Sequence, residues 1–552
     1  MNGKVWLSAY PQGVPAQADV HRYRSLTAMM KAGCERYADH AAFTNLGASL
    51  SYAELDRQSR CFAAYLQKGL KLDKGELLAI MLPNILQYPV VFFGALRAGL
   101  VVVNVNPLYT PRELKQQLAD SGARTIVVLE NFAHKLAGLI GLTPLTYVIT
   151  TGLGDPLPAP RRLLVNFAVK HIKRMVPPWA IDGAVGLREA LDEGEHCPFD
   201  EPDLGPEDLA LLQYTGGTTG MPKAAMLTHG NMVANVMQVV AWTGPALREG
   251  VETVVTPLPL YHIFSLTANL LTFLCIGGRG LLVTDPRDIP GLIALLKKER
   301  VTAMTGVNTL FNALLEAPGF AGVDFGSLKV VVGGGDSIQE SVARRWKRVT
   351  GTAIIEGYGL TEASPVVCAN RFDVPEYTGM LGLPLPSTEV SIRDDRGNEV
   401  PIGQVGEICV KGPQVMKGYW NRPEETAKAL RPDGWLYTGD EGHMCADGFI
   451  KFHDRTTDII VVSGFKVFPS EVEDVARMHP GVKEAAATSV GDERSGQAVR
   501  LVIVKRDPEL TREQVMAHCR ENLAGYKVPK VVEFRDKLPK GPIGKVVRRE
   551  LH

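Results

Sequence analysis

Short runs of apolar, β-branched residues recur along the first two thirds of the chain, and helical patterns separate them. The clearest runs are 77–83, 100–107, 124–130, 253–260, 301–307, 328–335 and 353–359. A strand that is apolar on both faces is typical of a parallel sheet with helices packed on each side. The alternation therefore predicts an α/β protein built on doubly wound sheets.

The texture of the sequence changes near residue 376. Glycine and proline become frequent and the strand-like runs become short, which is typical of a small β subdomain with hairpin turns. After the sequence DRTTD at 454–458, helix and strand patterns alternate again, and this last part is long enough for a small α+β domain. The predicted organisation is an N-terminal domain over 1–453 (doubly wound sheets at 1–375, β subdomain at 376–453), a hinge at 454–458 and a C-terminal domain over 459–552.

Composition excludes several classes of protein. Sixty basic residues balance sixty acidic ones, whereas a general nucleic-acid binder carries a basic excess, so we expect no nucleic-acid partner. The eight cysteines form no CxxC pair, which argues against a zinc site or a disulfide framework. The N-terminus lacks the apolar run of a secretory signal, and the apolar segments 89–103 and 266–278 are interrupted or too short to span a bilayer. These features predict a cytoplasmic protein.

The segment 161–179 is basic and amphipathic. Val165, Val169, Ile172 and Val176 fall on one helical stripe, and basic residues occupy the adjoining and opposite arc. The basic residues are Arg162, Lys170, Lys173 and Arg174. Helices of this kind lie in membrane interfaces, but they also occur as surface helices with a solvated basic face. Both interpretations stay open, and with them a peripheral location on the membrane.

The stretch YTGGTTGMPK at 214–223 holds three glycines, three threonines and one lysine, and it has no acidic residue. Glycine allows backbone N–H groups to approach phosphate oxygens closely, and hydroxyl and ammonium groups add further donors. The pattern predicts an anion-binding loop. It is not a Walker A loop, because Met221 and Pro222 separate the last glycine from Lys223 and because Ala224 follows the lysine.

Five motifs in a fixed order, beginning with this loop, resemble the adenylate-forming superfamily, which includes acyl-CoA synthetases, peptide-synthetase adenylation domains and luciferases. The other four are EGYGLTE at 356–362, WLYTGD at 435–440, DRTTDIIVVSGFKVFP at 454–469 and LPKGPIGKVVRREL at 538–551. Within the superfamily the chain is most similar to bacterial long-chain fatty acid–CoA ligases, with a likeness that extends over nearly its whole length. Stretches that carry this closer likeness include VNVNPLYTPREL at 103–114 and PLYHIFSLT at 259–267.

The resemblance implies a reaction in two steps. A long-chain fatty acid reacts with ATP to give acyl-adenylate and pyrophosphate, and the thiol of CoA then displaces AMP. Two alternatives stay open: an adenylating ligase of another carboxylic acid or acyl carrier, and a non-catalytic acyl or nucleotide sensor. Fatty acid, ATP, Mg²⁺ and CoA are the implied ligands. The oligomeric state, including a homodimer, stays open.

The resemblance also assigns roles to residues. Those implied for the β- and γ-phosphates are Thr215, Gly216, Gly217, Thr218, Thr219, Gly220 and Lys223, with Thr361 also reaching phosphate. Those implied for Mg²⁺ are Glu362 and Thr218. Those implied for the nucleoside are Tyr358 on adenine, Gly335 beside it, Asp440 on the ribose hydroxyls and Arg455 on ribose or phosphate. An ion pair of Arg455 with Asp454 or Asp458 is an alternative.

The remaining implied roles concern the acyl group, CoA and the catalytic lysine. His262 is expected near the acyl carboxylate, although a buried structural histidine is an equal alternative. Lys545 is expected to reach from the C-terminal domain to the reacting oxygens, and that domain is expected to rotate between the two steps. Ser463 and Gly464 would then line the CoA channel. Thr457 at the pivot and Asp336 after the glycine triplet depart from the family pattern, and the sequence gives Asp336 no role.

Overall fold

The computed structural model describes residues 4–215, 222–374, 376–455, 458–462, 465–492, 496–523, 525–541 and 545–551. Strands run throughout this part of the chain. In order they are β1 Ala41–Asn45, β2 Ala48–Ser51, β3 Leu77–Met81, β4 Val101–Asn104, β5 Thr125–Leu129, β6 Tyr147–Thr151, β7 Val185–Gly186, β8 Leu209–Thr215, β9 Lys223–Thr228, β10 Thr253–Thr256, β11 Arg279–Leu282, β12 Ala303–Gly306, β13 Val330–Gly333, β14 Ile354–Gly359, β15 Val366–Ala369, β16 Leu383–Pro384, β17 Glu389–Arg393, β18 Gly406–Lys411, β19 Gly418–Tyr419, β20 Leu436–Met444, β21 Ile450–Arg455, β22 Ile460–Val462, β23 Phe465–Val467, β24 Val482–Asp492, β25 Gly496–Lys505 and β26 Val531–Phe534.

The helices lie mainly between these strands. They are α1 Leu26–Arg36, α2 Tyr52–Ala64, α3 Gln87–Arg97, α4 Pro111–Ser121, α5 Glu130–Ala137, α6 Ala159–Phe167, α7 Leu187–Glu195, α8 His229–Thr243, α9 Ile263–Ser265, α10 Thr272–Cys275, α11 Ile289–Lys298, α12 Asn308–Glu316, α13 Glu340–Thr350, α14 Pro423–Ala429, α15 Pro469–Met478 and α16 Arg512–Asn522. Short 3-10 turns include Thr361–Ala363 and Arg548–Leu551.

Two large sheets form the body of the molecule, and both have parallel centres. One has the strand order β16-β15-β14-β13-β12-β10-β11-β1-β2, and the other has the order β19-β9-β8-β4-β3-β5-β6-β7. All seven apolar runs noted in the sequence form strands of these sheets. Helix α3, which lies between two such strands, is buried over its whole length. The predicted α/β fold, with a large N-terminal domain and a smaller C-terminal one, is confirmed.

Local sequence signals set several helix starts. The hydroxyl of Ser51, Thr110, Thr228 or Thr511 accepts a hydrogen bond from the backbone three residues on, and the side chain at that position returns the bond. Such reciprocal caps satisfy two backbone donors that the first helical turn leaves unpaired. The capping pair of Thr228 and Asn231 fixes the start of α8, which follows the glycine-rich stretch.

Two smaller sheets complete the fold. The antiparallel sheet β17-β18-β20-β21 lies in the region predicted as a β subdomain, and the C-terminal part forms the sheet β23-β22-β25-β24, with β26 beside β25. Strands β16 and β19 come from the same region as the first of these sheets, but they pair at the edges of the two large sheets. The domain boundaries given above stay a prediction.

The basic segment 161–179 differs from a single amphipathic helix. Helix α6 continues as a π-helical turn over Ala168–Ile172 and stops at Arg174, whose φ is +51°. Val169 is buried, but Ile172, on the same predicted stripe, is 71% exposed. The stripe is therefore not a uniformly buried face. No helix in the described ranges combines the length and apolarity needed to cross a bilayer.

Candidate active site

A cavity of about 1590 Å³ opens where the two large sheets, the small antiparallel sheet and the C-terminal part face one another. The ends of the parallel strands β10, β13 and β14 point their loops into it, which is where ligands bind in open α/β sheets. Ten residues singled out from the sequence line this one cavity: Thr215, Lys223, His262, Gly335, Tyr358, Thr361, Glu362, Asp440, Arg455 and Lys545. The fold therefore brings together motifs that lie more than 300 positions apart.

An aromatic ring and two charged groups form one wall of the cavity. The hydroxyl of Tyr358 donates a hydrogen bond of 2.7 Å to Oδ2 of Asp440, and Nε of Arg455 lies 3.4 Å from Oδ1 of the same carboxylate. Asp440 and Arg455 are direct partners on the neighbouring strands β20 and β21. Burial raises the pKa of Tyr358 well above its usual value, so the phenol keeps its proton and acts as a donor.

The glycine-rich stretch joins two antiparallel strands. Thr215 at the end of β8 pairs with Lys223 at the start of β9, whereas the sequence analysis predicted no strand between this stretch and helix α8. Lys223 forms an ion pair with Glu425 of helix α14 and lies 5.3 Å from the centre of the Tyr419 ring. Lys223 lines the cavity, and its ammonium group is paired with a carboxylate. An ammonium group in this position can exchange one anionic partner for another.

Glu362 lies at the mouth of the cavity in the turn that follows β14. Its Oε1 accepts a hydrogen bond of 2.7 Å from the hydroxyl of Tyr419. No cluster of three or more metal-ligating side chains occurs within the described ranges. Mg²⁺ is commonly held by one or two carboxylates together with substrate phosphates and water, so a single cavity carboxylate fits that ion.

His262 and Phe264 form the wall behind the glycine triplet. Nδ1 of His262 accepts a hydrogen bond of 3.3 Å from the backbone N–H of Phe264. Burial lowers the pKa of His262 to about 4, so the ring is neutral near pH 7 and carries its proton on Nε2. A methyl group on Gly334 would lie 3.3 Å from the Phe264 ring and 3.1 Å from the carbonyl oxygen of Gly357. Glycine keeps this wall thin, and His262 is a half-buried residue that lines the cavity.

Lys545 reaches the cavity from the C-terminal part. Burial is the main cause that lowers the pKa of Lys545, and the nearby Arg455 lowers it further, whereas Asp336 and Asp440 raise it. The lysine therefore lies close to the Tyr358–Asp440–Arg455 wall. Asp336, to which the sequence analysis assigned no role, contributes negative charge that raises the pKa of this ammonium group.

Several predicted residues lie outside the described residues. They are Gly216, Gly217, Thr218, Thr219, Gly220, Ser463 and Gly464, together with Thr457 of the predicted hinge. Their implied roles stay predictions.

Sequence reasoning missed the partners that orient the predicted residues. Tyr419 and Glu425 contact Glu362 and Lys223, although they lie 57 and 202 positions away in the sequence. The predicted ion pair of Arg455 was placed with Asp454 or Asp458, but the structure pairs Arg455 with Asp440 and binds the other two carboxylates to Arg548. The one available signal for Arg548 was its position three residues after Lys545.

Two family models match the chain. The model described as AMP-binding enzyme matches residues 30–420, and the model described as AMP-binding enzyme C-terminal domain matches residues 471–545. The long-chain-fatty-acid–CoA ligase of Escherichia coli O6:H1 is 54% identical over 548 residues, which cover 99% of this chain and 98% of that protein. The ligase of the same name from Haemophilus influenzae is 48% identical over 99% of this chain and 98% of its own length.

Solved structures agree with this likeness. ATP-bound MatB from Rhodopseudomonas palustris superposes with a TM-score of 0.82 at 28% identity, and the match covers 96% of this chain and 98% of MatB. The resemblance noted from five sequence motifs is thereby confirmed over nearly the full length.

Proposed function

The chain belongs to the AMP-binding enzyme family, and on that premise we propose that it is a long-chain fatty acid–CoA ligase that forms acyl-adenylate from ATP. The observation that carries the proposal is the convergence of the five motifs on one cavity, joined to 54% identity with a ligase of that name over 99% of the chain. The prediction of an ATP-dependent, AMP-forming enzyme with CoA as co-substrate is confirmed by this family membership.

In the first step the fatty acid carboxylate attacks the α-phosphate of ATP, and pyrophosphate leaves. Both reactants are anions, so the protein must neutralise charge and align the reacting atoms. Lys545 and Arg455 supply positive charge at the wall where Asp440 would hold the ribose hydroxyls. The ammonium group of Lys545 would stabilise the negative charge that develops on the α-phosphate oxygens in the transition state. No base is needed, because the nucleophile is already ionised.

Lys223 and the stretch 215–220 would hold the β- and γ-phosphates, which are the group that leaves. Phosphate would then replace Glu425 as the partner of Lys223. Glu362 and Thr218 would hold Mg²⁺, which supplies charge neutralisation for the phosphates when it is bound. The Tyr419 hydroxyl fixes the orientation of the Glu362 carboxylate.

The acyl chain would occupy an apolar arm of the cavity beyond His262 and Phe264. The arm is lined by Val239, Trp242, Val330, Val332, Ile355 and Phe372. Val330 and Val332 lie on the same face of β13, whereas Val331 between them packs into the core on the other face. The Nε2–H group of neutral His262 is suited to donate to the acyl carboxylate at the entrance of the arm.

In the second step CoA attacks the acyl-adenylate, and we infer that the C-terminal part rotates about 454–458 to admit it. Thr488, Ser489 and Gln497 of that part line the cavity beside Lys545, so the same face that delivers the lysine covers the adenylate. Its withdrawal would uncover the carbonyl carbon. Ser463 and Gly464 would then line the path of the CoA arm.

Pyrophosphate release against a panel of acids tests the function. We expect a burst of release with oleate and ATP in the absence of CoA, and continuous turnover only after CoA is added. Val332→Phe should lower the rate with oleate about tenfold more than the rate with octanoate, because the larger side chain fills the apolar arm. Pyrophosphate release with aryl acids and not with fatty acids would favour an adenylating ligase of another carboxylic acid. No pyrophosphate release with any acid would favour a non-catalytic sensor.

We also propose that the protein contacts the inner surface of a membrane through the segment that begins with α6. Leu163, Leu164, Phe167, Ile172 and Met175 are 67, 68, 58, 71 and 53% exposed. Five basic residues accompany them (Arg161, Arg162, Lys170, Lys173 and Arg174), and no acidic residue occurs from 156 to 181. Exposed apolar side chains within a purely basic segment complement an anionic lipid surface.

Vesicle flotation tests this contact. The wild-type protein should float with phosphatidylglycerol vesicles at low salt and less with phosphatidylcholine vesicles, because salt and neutral lipid both weaken the attraction. Leu164→Glu with Phe167→Glu should abolish flotation and leave the activity on dissolved fatty acid unchanged. Val251→Glu, at a residue 64% exposed, is the matched control. Equal flotation of all three proteins would contradict the proposal.

A further inference from the structure

The described residues of the segment that carries Lys545 make backbone contacts with one another. The N–H of Gly541 donates to the carbonyl oxygen of Lys545 at 2.7 Å, and Lys540 and Val546 form an isolated bridge. Leu551 at its end is fully buried beside strands β24 and β25. These contacts tie the segment to the C-terminal part, and they give no attachment to the large domain, against which Lys545 must act.

Arg548, three residues after the lysine, makes a different set of contacts. Its Nη2 lies 2.9 Å from Oε1 of Glu473 on α15, and its Nη1 lies 2.9 Å from Oδ2 of Asp458. The same Nη1 lies 3.6 Å from Oδ1 of Asp454, the second last residue of β21. Glu473 belongs to the C-terminal part, whereas Asp454 belongs to the sheet that also carries Asp440. One guanidinium group therefore binds the carboxylate of Asp454, on strand β21 where the predicted hinge begins, and a carboxylate of the C-terminal part.

This ion cluster is shielded from water. The side chain of Arg548 is 22% exposed, and those of Asp454 and Glu473 are 2 and 9% exposed. Carboxylates at this depth keep their charge only with a close cation, and the guanidinium fork can serve more than one of them. Asp454 also accepts a hydrogen bond of 2.7 Å from the backbone N–H of Ser470 at the start of α15. Asp454 is thus the point of the large domain to which the C-terminal part is attached twice.

We propose that Arg548 is a positioning residue that holds Lys545 in the cavity by binding Asp454 across the hinge. The inference rests on the proposed function, because it concerns the lysine of the adenylate-forming step. Rotation about 454–458 would keep the contacts of Arg548 with Glu473 and would break its contact with Asp454. The Arg548–Asp454 pair accordingly favours the arrangement for the first step and is released for the second.

The test measures both half-reactions in full-length variants. Exchange of pyrophosphate into ATP with oleate reports adenylate formation, and thioester formation from supplied oleoyl-adenylate and CoA reports the second step. Arg548→Gln should lower the exchange rate about tenfold or more, since small misplacements of a reacting group have large effects on rate. Thioester formation should stay within about twofold of wild type, because Lys545 is not used there.

Two further variants separate positioning from general damage to the fold. Asp454→Asn keeps one acceptor oxygen, which can serve Ser470, but it loses the charge and the second acceptor oxygen on the side of Arg548, so it should lower exchange about threefold and spare thioester formation. Arg548→Lys keeps the charge and should recover part of the exchange rate. The matched control is Asp474→Asn, an acid on α15 that is 73% exposed and pairs with Arg477, and it should leave both rates unchanged.

The affinity for ATP distinguishes a positioning role of Arg548 from a merely structural one. General damage to the fold would lower this affinity, whereas loss of positioning alone would not. The affinity should be the same in Arg548→Gln and wild type, because the nucleotide wall lies in the large domain. Equal loss in both half-reactions, or unchanged exchange in Arg548→Gln, would overturn the inference while leaving the ligase function standing. If the wild-type protein itself fails to exchange pyrophosphate with oleate, the proposed function fails, and the inference fails with it.

Discussion

The two sides of the cavity are held in place by different means. On the side of the large domain, Tyr358, Asp440 and Arg455 lie on strands whose backbones are paired, and their side chains bind one another. On the other side, Lys545 lies in a short segment of the C-terminal part, and the side chain of Arg548 joins that segment to Asp454 of strand β21. A rigid wall suits the binding of a nucleotide through both steps, whereas a detachable segment suits a group that is needed for one step only.

The largest effect should follow from removing the lysine itself. Lys545→Ala should lower the overall rate of acyl-CoA formation about a hundredfold or more, equivalent to roughly 2.7 kcal/mol of transition-state stabilisation. The measurement is steady-state turnover with oleate, ATP and CoA. Lys540→Ala is the control, because that lysine lies on the same segment and pairs with Glu484. A similar loss in both variants would mean that the segment, and not the ammonium group, is what matters.

On the side of the large domain, the burial of the His262 ring should make the free energy of unfolding depend on pH. The pKa of His262 is lowered to about 4 by burial, so below pH 6.5 the unfolded chain binds a proton that the folded protein excludes. Stability is therefore lost as the pH falls, by about 2 kcal/mol between pH 7 and pH 5 from this residue. Urea unfolding of His262→Gln should show a weaker dependence than that of wild type. An unchanged dependence would contradict the assigned burial.

A change in the nucleotide wall should affect both half-reactions. Asp440→Asn keeps the size of the side chain but replaces an acceptor oxygen with a donor, so the ribose hydroxyls and Tyr358 lose a partner. We expect the affinity for ATP to fall about tenfold, or roughly 1.4 kcal/mol. Isothermal calorimetry provides the measurement. If Asp440→Asn lowered only the rate of adenylate formation, as expected for Lys545→Ala, the two sides of the cavity would not differ in function.

The smallest expected effect concerns the partner of Lys223. Glu425→Gln removes the carboxylate that phosphate must replace, so the affinity for ATP should rise about threefold. Glu424→Gln, an exposed neighbour with the same change of charge, should have no such effect. Weaker binding in Glu425→Gln would show that the carboxylate orients the lysine and does not compete with ATP.

The sequence predicted seven central strands of the large sheets because each is a continuous apolar run that can be recognised without knowing its neighbours. It also singled out ten residues that line the cavity, because they lie in motifs that can be read locally. It did not predict Glu425 beside Lys223, Tyr419 beside Glu362 or Arg548 beside Asp454. Those pairs join distant positions, and the packing of whole sheets and helices brings them together. The β9 strand after the glycine-rich stretch was missed for the same reason, since its pairing with β8 is a matter of register.

The central claim is that the large domain binds the nucleotide in both steps and that Lys545 acts in the first step alone. Single-turnover measurement of both half-reactions in one preparation of Lys545→Ala tests it most directly. The account predicts that adenylate formation from oleate and ATP is lowered about a hundredfold or more, while thioester formation from supplied oleoyl-adenylate and CoA proceeds at the wild-type rate. Equal loss of both half-reactions would contradict it.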